Sequence, residues 1–452
     1  MNISRAVHGR VMALAGAAVA AAFVVGCIPP APPIIPPTPE PPVTTPAACT
    51  LHVQPGVVGG NGTASAPFGT IAPAIASAKP GSVICVGAGD LGAERPLITV
   101  SGREGAPIEL RATGAAVLGG FDVKADWWII SGFDVQPRSS APTPGIAIRG
   151  TGVQVIRNTV RNATDYGIRC DTSAPSCDRG LIANNRVLGS VGTGIFVYGA
   201  DVLVQSNDVS GSVQVGSSDA DGIRFFGDRL TIRRNHVHDI SAAGWPAGTE
   251  PHADCFQTFT ESKRPVVDVV LDGNTCDRVA DQCLIAEGNG TSQRLTFINN
   301  ICRNSGSQAL YIRNVQNVTI ANNLFLPTIA FTGVFLADGA SGVSITNNVF
   351  VGDFDPYTVT AAPVPWADYN LAATQTGGVP PVFSEPHGMA GRLPGYLGQL
   401  ADLRTTVSIA PGDPTVDTGA ATARATDRFG RARPVDGNGD GLASWDVGPF
   451  ER

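Results

Sequence analysis

Eight asparagines recur through the middle of the chain, at Asn158, Asn185, Asn207, Asn235, Asn274, Asn300, Asn323 and Asn348, in steps of 27, 22, 28, 39, 26, 23 and 25 residues. A period of this length means one structural unit stacked on itself many times. From about Gly145 to Phe350 each unit reads alike: a small residue, an apolar residue, a few alternating positions, a turn, a second alternating strand, then the asparagine. The apolar position reads Ile146, Ile168, Ile195, Ile223, Phe256, Leu284, Leu310 and Val334. Two residues on, the same parity gives Ile148, Cys170, Val197, Phe225, Thr258, Ala286, Ile312 and Leu336. Such alternation assigns short strands with one buried face. A coil of some 22 to 28 residues cannot bury its apolar side alone, so coils must stack, each strand pairing in parallel with its equivalent next door. The asparagines then form a ladder of side-chain amides at one turn. Leucine-rich repeats also stack short strands, but the regular leucine framework they need is absent.

Three segments carry a resemblance. Pro67-Phe68-Gly69-Thr70-Ile71 through Pro80-Gly81-Ser82-Val83-Ile84 is similar to the opening of bacterial surface β-helices, the asparagine coils resemble their repeats, and Asp427-Arg428-Phe429-Gly430 with Arg433-Pro434 and Asp446-Val447-Gly448-Pro449-Phe450-Glu451 resembles their closing motif. The family is the right-handed parallel β-helix, or pectate-lyase-like, superfamily. The resemblance implies an all-β chain: a right-handed parallel β-helix over residues 48–352, a short N-terminal capping helix burying Ile71, Ile75 and Ala78, and an irregular extension or cap over 353–452, of which Asp353 to Pro411 matches poorly.

Residues 1–26 read as an export signal, with Arg5, His8 and Arg10 before an apolar run that ends at Val24-Val25-Gly26-Cys27. This resembles a lipobox, which implies cleavage before Cys27, acylation of that cysteine, and a lipid anchor to the membrane. Ile28 suits an outer-membrane, surface-exposed destination in a two-membrane bacterium. Residues 27–47 are proline-rich and nearly uncharged, as expected of an extended linker. Loss of Arg5 and Arg10 with the signal takes the formal net charge from -7 to -9, which argues against nucleic acid as a partner. A monomer with a glycan partner is the expectation.

Eight further cysteines in an exported chain favour disulfides. Cys255 and Cys283 share the small position of neighbouring coils, and Cys276 and Cys302 each lie two residues after a ladder asparagine. Stacked coils ~4.8 Å apart are within disulfide reach. The expected pairs are therefore Cys255 with Cys283 and Cys276 with Cys302, completed by Cys170 with Cys177 and Cys49 with Cys85.

The opposite parity should face solvent. One outward column carries Tyr198, Phe226 and Phe259 as a vertical aromatic stripe bounded by Glu287 and Arg313, suited to stacking on sugar rings unless a loop or the C-terminal segment covers it. Beside it, Asp221 and Asp254 hold the same position in adjacent coils, with Asp219 two residues earlier, Arg224 and Gln257 three residues later, and His252 at the head of the second run. The long 39-residue step leads into this run and includes Trp245. Three chemistries fit. In a lyase of uronate-containing glycans, Asp219, Asp221 and Asp254 would hold Ca²⁺ while Arg224 or His252 removes the proton alpha to the carboxylate, Arg224 matching the basic residue that pectate-lyase-like families use. In a hydrolase, Asp221 and Asp254 would be the carboxylate pair, at the ~5 to 5.5 Å of retaining enzymes; the residue sets of β-helical polygalacturonases are absent. In an epimerase, Pro251-His252-Ala253-Asp254 resembles the Asp-Pro-His motif of alginate epimerases, with Glu250 where its aspartate belongs. The structural alternative is that Asp221 and Asp254 bond backbone amides at solenoid corners, leaving a non-catalytic glycan-binding or envelope protein. A second calcium candidate is Asp436, Asn438 and Asp440, spaced as in an EF-hand loop but without its position-twelve glutamate.

Overall fold

The computed structural model describes residues 47–452 apart from 175, 214–218, 243–251, 261–263, 304–305, 327–331 and 423. Cys27, the signal and most of the linker lie outside the described residues, as does the part of the long step that holds Trp245. The chain coils into an all-β parallel solenoid of about 10 turns. Its strands form a 24-stranded sheet wrapping two sides and a 13-stranded sheet on the third.

The register follows the apolar column residue by residue: Ile146 pairs with Ile168, then Ile195, Ile223, Phe256, Leu284, Leu310 and Val334, every partner parallel. All eight side chains are buried, and a fully buried Ile, Leu or Phe contributes about 1.5–3 kcal/mol. The short helix Ile71–Ser77 closes the first coil with Ile71, Ala74 and Ile75 inward, and Ala78 is buried beyond its end.

From Asn185 onward each ladder asparagine accepts two N–H groups from the coil before it, while Asn158 accepts only that of Phe133. The backbone N and Nδ2 of Asn207 donate to Oδ1 of Asn235 at 3.0 and 2.9 Å, while the same Nδ2 donates to the Ile182 carbonyl at 2.9 Å. The ladder runs one coil beyond Asn348, to Asn370, where the Glu385 carboxylate accepts both the backbone N and Nδ2. The residue before each rung takes a left-handed conformation, as at Arg157, Asn184, Ser206, Arg234, Gly273, Asn299, Asn322 and Asn347.

Within the 353–452 extension, strands Asp355–Thr360, Trp366–Asp368 and Leu371–Ala373 add one more coil in register, and only the segment after Met389–Ala390 leaves the solenoid. It packs along the outer face of the 13-stranded sheet, where Tyr396, Leu400, Leu403, Val416, Val447 and Phe450 form a second core with Ile301, Leu324, Val349 and Leu371. Asn299, Asn322 and Asn347, one residue before their rungs, hold this cap by donating Nδ2 to the carbonyls of Thr426, Asp446 and Ala420.

The disulfides correct one expectation. Cys49–Cys85 and Cys170–Cys177 are joined as expected, but Cys255 bonds Cys276 and Cys283 bonds Cys302, each with 5.8 Å between Cα atoms. Cys276 does stack on Cys302 in register, yet stacked side chains point the same way, into the coil, and not at one another. In the preceding coils the small position faces a valine across the corner: a Cβ on Gly145, Gly167, Gly194 or Gly222 would meet Val160, Val187, Val209 or Val237. Cys255 and Cys276 replace one such glycine–valine pair, and Cys283 and Cys302 the next.

Candidate functional site

The corner that precedes strand Ile223–Asp228 places Asp221 directly beneath Asp254. Both carboxylates are fully buried. Asp221 Oδ1 accepts the Asp254 backbone N–H at 3.3 Å, and Asp254 Oδ1 accepts that of Gln282, its equivalent one coil on, at 2.8 Å. So far this is the amide-bonding role of a solenoid corner.

The remaining oxygens differ. Asp221 Oδ2 accepts Nε of Arg224 at 2.9 Å as well as its Nη2, which also donates to Asp219 at 3.0 Å. Asp254 Oδ2 has no hydrogen-bond partner among the described residues, and the His252 Nδ1, likewise unpartnered among them, lies 4.0 Å away. Burial, with Asp221 and then Asp281 adding like charge, raises the Asp254 pKa well above the usual carboxylate range. Burial also raises Asp221, against the opposing pull of Arg224. The His252 side chain is 41% exposed, so the pair links a buried acid to the surface. Gln257 stacks on Arg224 in register, buried with an unpartnered Oε1.

The aromatic stripe is stacked as the columns imply, Tyr198 against Phe226 in register, but it is not an open platform. Phe226 is fully buried. Its ring packs against Phe196, Tyr198 and Phe259 at 5.6, 6.2 and 5.0 Å, and the Arg224 guanidinium lies 5.7 Å from the Phe259 ring. Large rings on adjacent rungs bury one another when no polar residue separates them. Glu287 and Arg313 bond each other at 3.4 Å on the surface.

A family model described as the right handed beta helix region matches residues 175–350. No curated protein matches the sequence. Among solved structures, pectate lyase Pel9A superposes with a TM-score of 0.54 at 15% identity, over 89% of this chain and 96% of its own. XylC in complex with xylose gives a TM-score of 0.56 at 11% identity, over 88% and 98%. The solenoid is a right-handed parallel β-helix.

Two expected cation sites in this β-helix have other occupants. At the corner, Arg224 already bridges Asp219 and Asp221, so these residues do not fit Ca²⁺. In the loop at 436–441 the side chains turn onto their own backbone: Asp436 accepts the N–H groups of Gly439 and Gly441 at 2.7 and 2.9 Å, and Asn438 that of Asp440 at 2.8 Å. Oxygens so used describe a pair of Asx turns.

The outward column of the strand that follows each ladder asparagine was not read from the sequence, and it holds the one group of three potential metal ligands among the described residues: Asp208, His236 and His238. His238 bridges Asp208 and Asp239 at 2.7 and 2.5 Å, while Arg404 reaches within 3.9 Å of Asp208. A guanidinium there opposes a cation. The signal was legible, since Asp208 and His236 each follow a ladder asparagine and His238 repeats the outward parity.

Proposed function

We propose that this chain acts on polysaccharide at the cell envelope, as a lyase of uronate-containing glycans, with the His252–Asp254 pair at its reacting centre. The observation that carries this reading is the unpartnered, buried Asp254 Oδ2 beside a half-exposed histidine. A corner residue serving only to bond backbone needs one carboxylate oxygen; the second, left without a donor, costs stability that an acid–base role would account for. His252 is the accessible base of the set. It would take the proton alpha to the uronate carboxylate, the freed electron pair would form the new double bond, and the glycosidic oxygen would leave as the alcohol, taking a proton from solvent. Arg224 is buried and held by two carboxylates, so it serves to fix Asp219 and Asp221, and no step is assigned to Ca²⁺. Fold likeness to a pectate lyase and to a xylose-bound protein makes a glycan the natural partner, although one scaffold hosts many activities. Acylation at Cys27 would hold the chain at the membrane; metabolic labelling with a palmitate analogue tests it, with loss of label in C27A expected.

The second reading, a non-catalytic envelope protein, is favoured by the burial of Phe226 and by the backbone bonds of Asp221 and Asp254. A panel of pectate, alginate and glycosaminoglycans, followed at the absorbance of the unsaturated product with and without EDTA, separates the two. Turnover that persists in EDTA and falls at least 100-fold in H252A is expected; silence on every uronate substrate leaves only the second reading.

A further inference from the structure

Between the 13-stranded sheet and the cap lies a cavity of about 270 Å³, walled by Arg234, His236, Gly273, Thr275, Arg404 and Arg428 and by the ring of Phe429. It lies on the same two coils as the Asp221–Asp254 corner, where Cys255 beside Asp254 is bonded to Cys276 beside Thr275, but its walls come from the 13-stranded sheet and the cap.

Arg428 sets its chemistry. The residue is 6% exposed, its Nη2 donates to Thr275 Oγ1 at 2.7 Å and its guanidinium lies 5.4 and 5.9 Å from the Phe429 and Phe450 rings, but Nε and Nη1 have no hydrogen-bond partner among the described residues. The two nearest carboxylates are engaged elsewhere: Asp272 with Arg424 and Asn299, Asp427 with the backbone N–H groups of Phe429, Arg431 and Glu451. Burial lowers the Arg428 pKa to about 10, which still leaves it charged at neutral pH. A buried guanidinium without a bonded anion is costly, and a planar fork of this kind matches a carboxylate in two-point contact. His236 adds a buried, unpartnered Nδ1, and burial lowers its pKa to about 4, so it stands neutral. Arg404 is 54% exposed and opens the cavity to solvent on its side.

Gly273 makes the room. It occupies the left-handed position before a ladder asparagine, where the neighbouring coils carry Arg234 and Asn299, so one side chain is missing from this column. A Cβ there would meet only ordinary contacts, Arg428 O at 3.6 Å and Arg234 Cγ at 3.7 Å.

We propose that this cavity binds the carboxylate of a single uronate residue, with guanidinium groups on the carboxylate, Thr275 near a hydroxyl group, and the Phe429 ring beneath the sugar face. Its volume falls just under the ~300–1,000 Å³ of pockets for drug-sized ligands, which suits one ring and not an oligosaccharide. The inference does not require catalysis at the His252–Asp254 pair.

The test is calorimetric titration of the full chain with galacturonate, galactose and inorganic phosphate. Galacturonate should bind at least tenfold more tightly than either of the others. Gly273→Asn fills the cavity with a residue that tolerates the left-handed backbone; it should weaken galacturonate at least tenfold with an unchanged melting temperature, and Arg428→Gln should do the same even if its fold is weakened. Asp254→Asn should leave binding intact, which separates this site from the proposed reacting centre. Galactose or phosphate binding as well as galacturonate, no binding at all, or unchanged affinity in Gly273→Asn would each overturn the proposal.

Discussion

Two columns of polar side chains run up the same β-helix and solve the same problem with different chemistry. The asparagine ladder and the Asp221–Asp254 column both receive backbone N–H groups from an adjacent coil. An amide carries donors and acceptors together, so each asparagine also supplies Nδ2 to the next rung and to a strand carbonyl. The column closes on itself at full burial. A carboxylate carries acceptors only. Arg224 supplies the missing donors to Asp221, but among the described residues none reaches Asp254 Oδ2. A column of amides can therefore be wholly structural, whereas a column of carboxylates accumulates an unmet demand at one rung. The coil bearing that demand is also the first to exchange the glycine–valine corner for a disulfide, at Cys255 beside Asp254.

The largest effect expected from breaking this comparison is in the ladder. Asn274→Ala removes the acceptor of the Asn235 backbone N and Nδ2 and two donated bonds, to the Ile232 carbonyl and to Asn300. With ~1–3 kcal/mol for each buried group left unsatisfied, a loss of about 3 to 5 kcal/mol is expected in urea unfolding; a loss below 1 kcal/mol would show that the ladder is not what holds the coils in register. Next comes the corner. Restoring the earlier pattern with C255G/C276V exchanges a covalent bond for the glycine–valine contact. It should cost about 3 kcal/mol, the loop-closure value for a separation of 21 residues, and less than C255A/C276A, because two alanines leave the space of both sulfurs empty whereas valine refills it.

Period-two alternation made the inward columns legible to single residues, because parity leaves no freedom once one face is buried. Parity says nothing of what lies outside the coil. Phe226 was assigned to an outward column correctly, and its burial depends on neighbouring rings that no column count weighs. The same limit misdirected the cysteines: stacking places Cys255 near Cys283, but only the direction of the side chain across the corner selects Cys276. One clue went unread. The doublets Asn299-Asn300, Asn322-Asn323 and Asn347-Asn348 mark the coils under the cap, the first asparagine binding the cap and the second the ladder. Where Gly273 replaces that first asparagine, the cap and sheet part to leave the cavity.

The smallest effect on stability, and the sharpest on the comparison, belongs to Asp254→Asn. The substitution turns one carboxylate of the column into an amide that can still accept the Gln282 N–H. Because burial, then Asp221 and Asp281, raise the Asp254 pKa in the fold, the folded chain holds this proton more tightly than the unfolded chain does. The associated stability is complete below the unfolded value of ~3.9 and is lost as pH rises through the folded value. An asparagine has no proton to lose. Urea midpoints measured from pH 4 to 8 should therefore fall with rising pH in the parent and stay flatter in D254N, the two differing by no more than about 1 kcal/mol at pH 4 and D254N at least matching the parent at pH 8. If D254N were instead less stable at pH 8, Asp254 would be ionised and held by a bound cation, and the column would be complete after all. If D254N retained full turnover on a uronate glycan, the unmet demand at this rung would be a flaw of packing and not a reacting group.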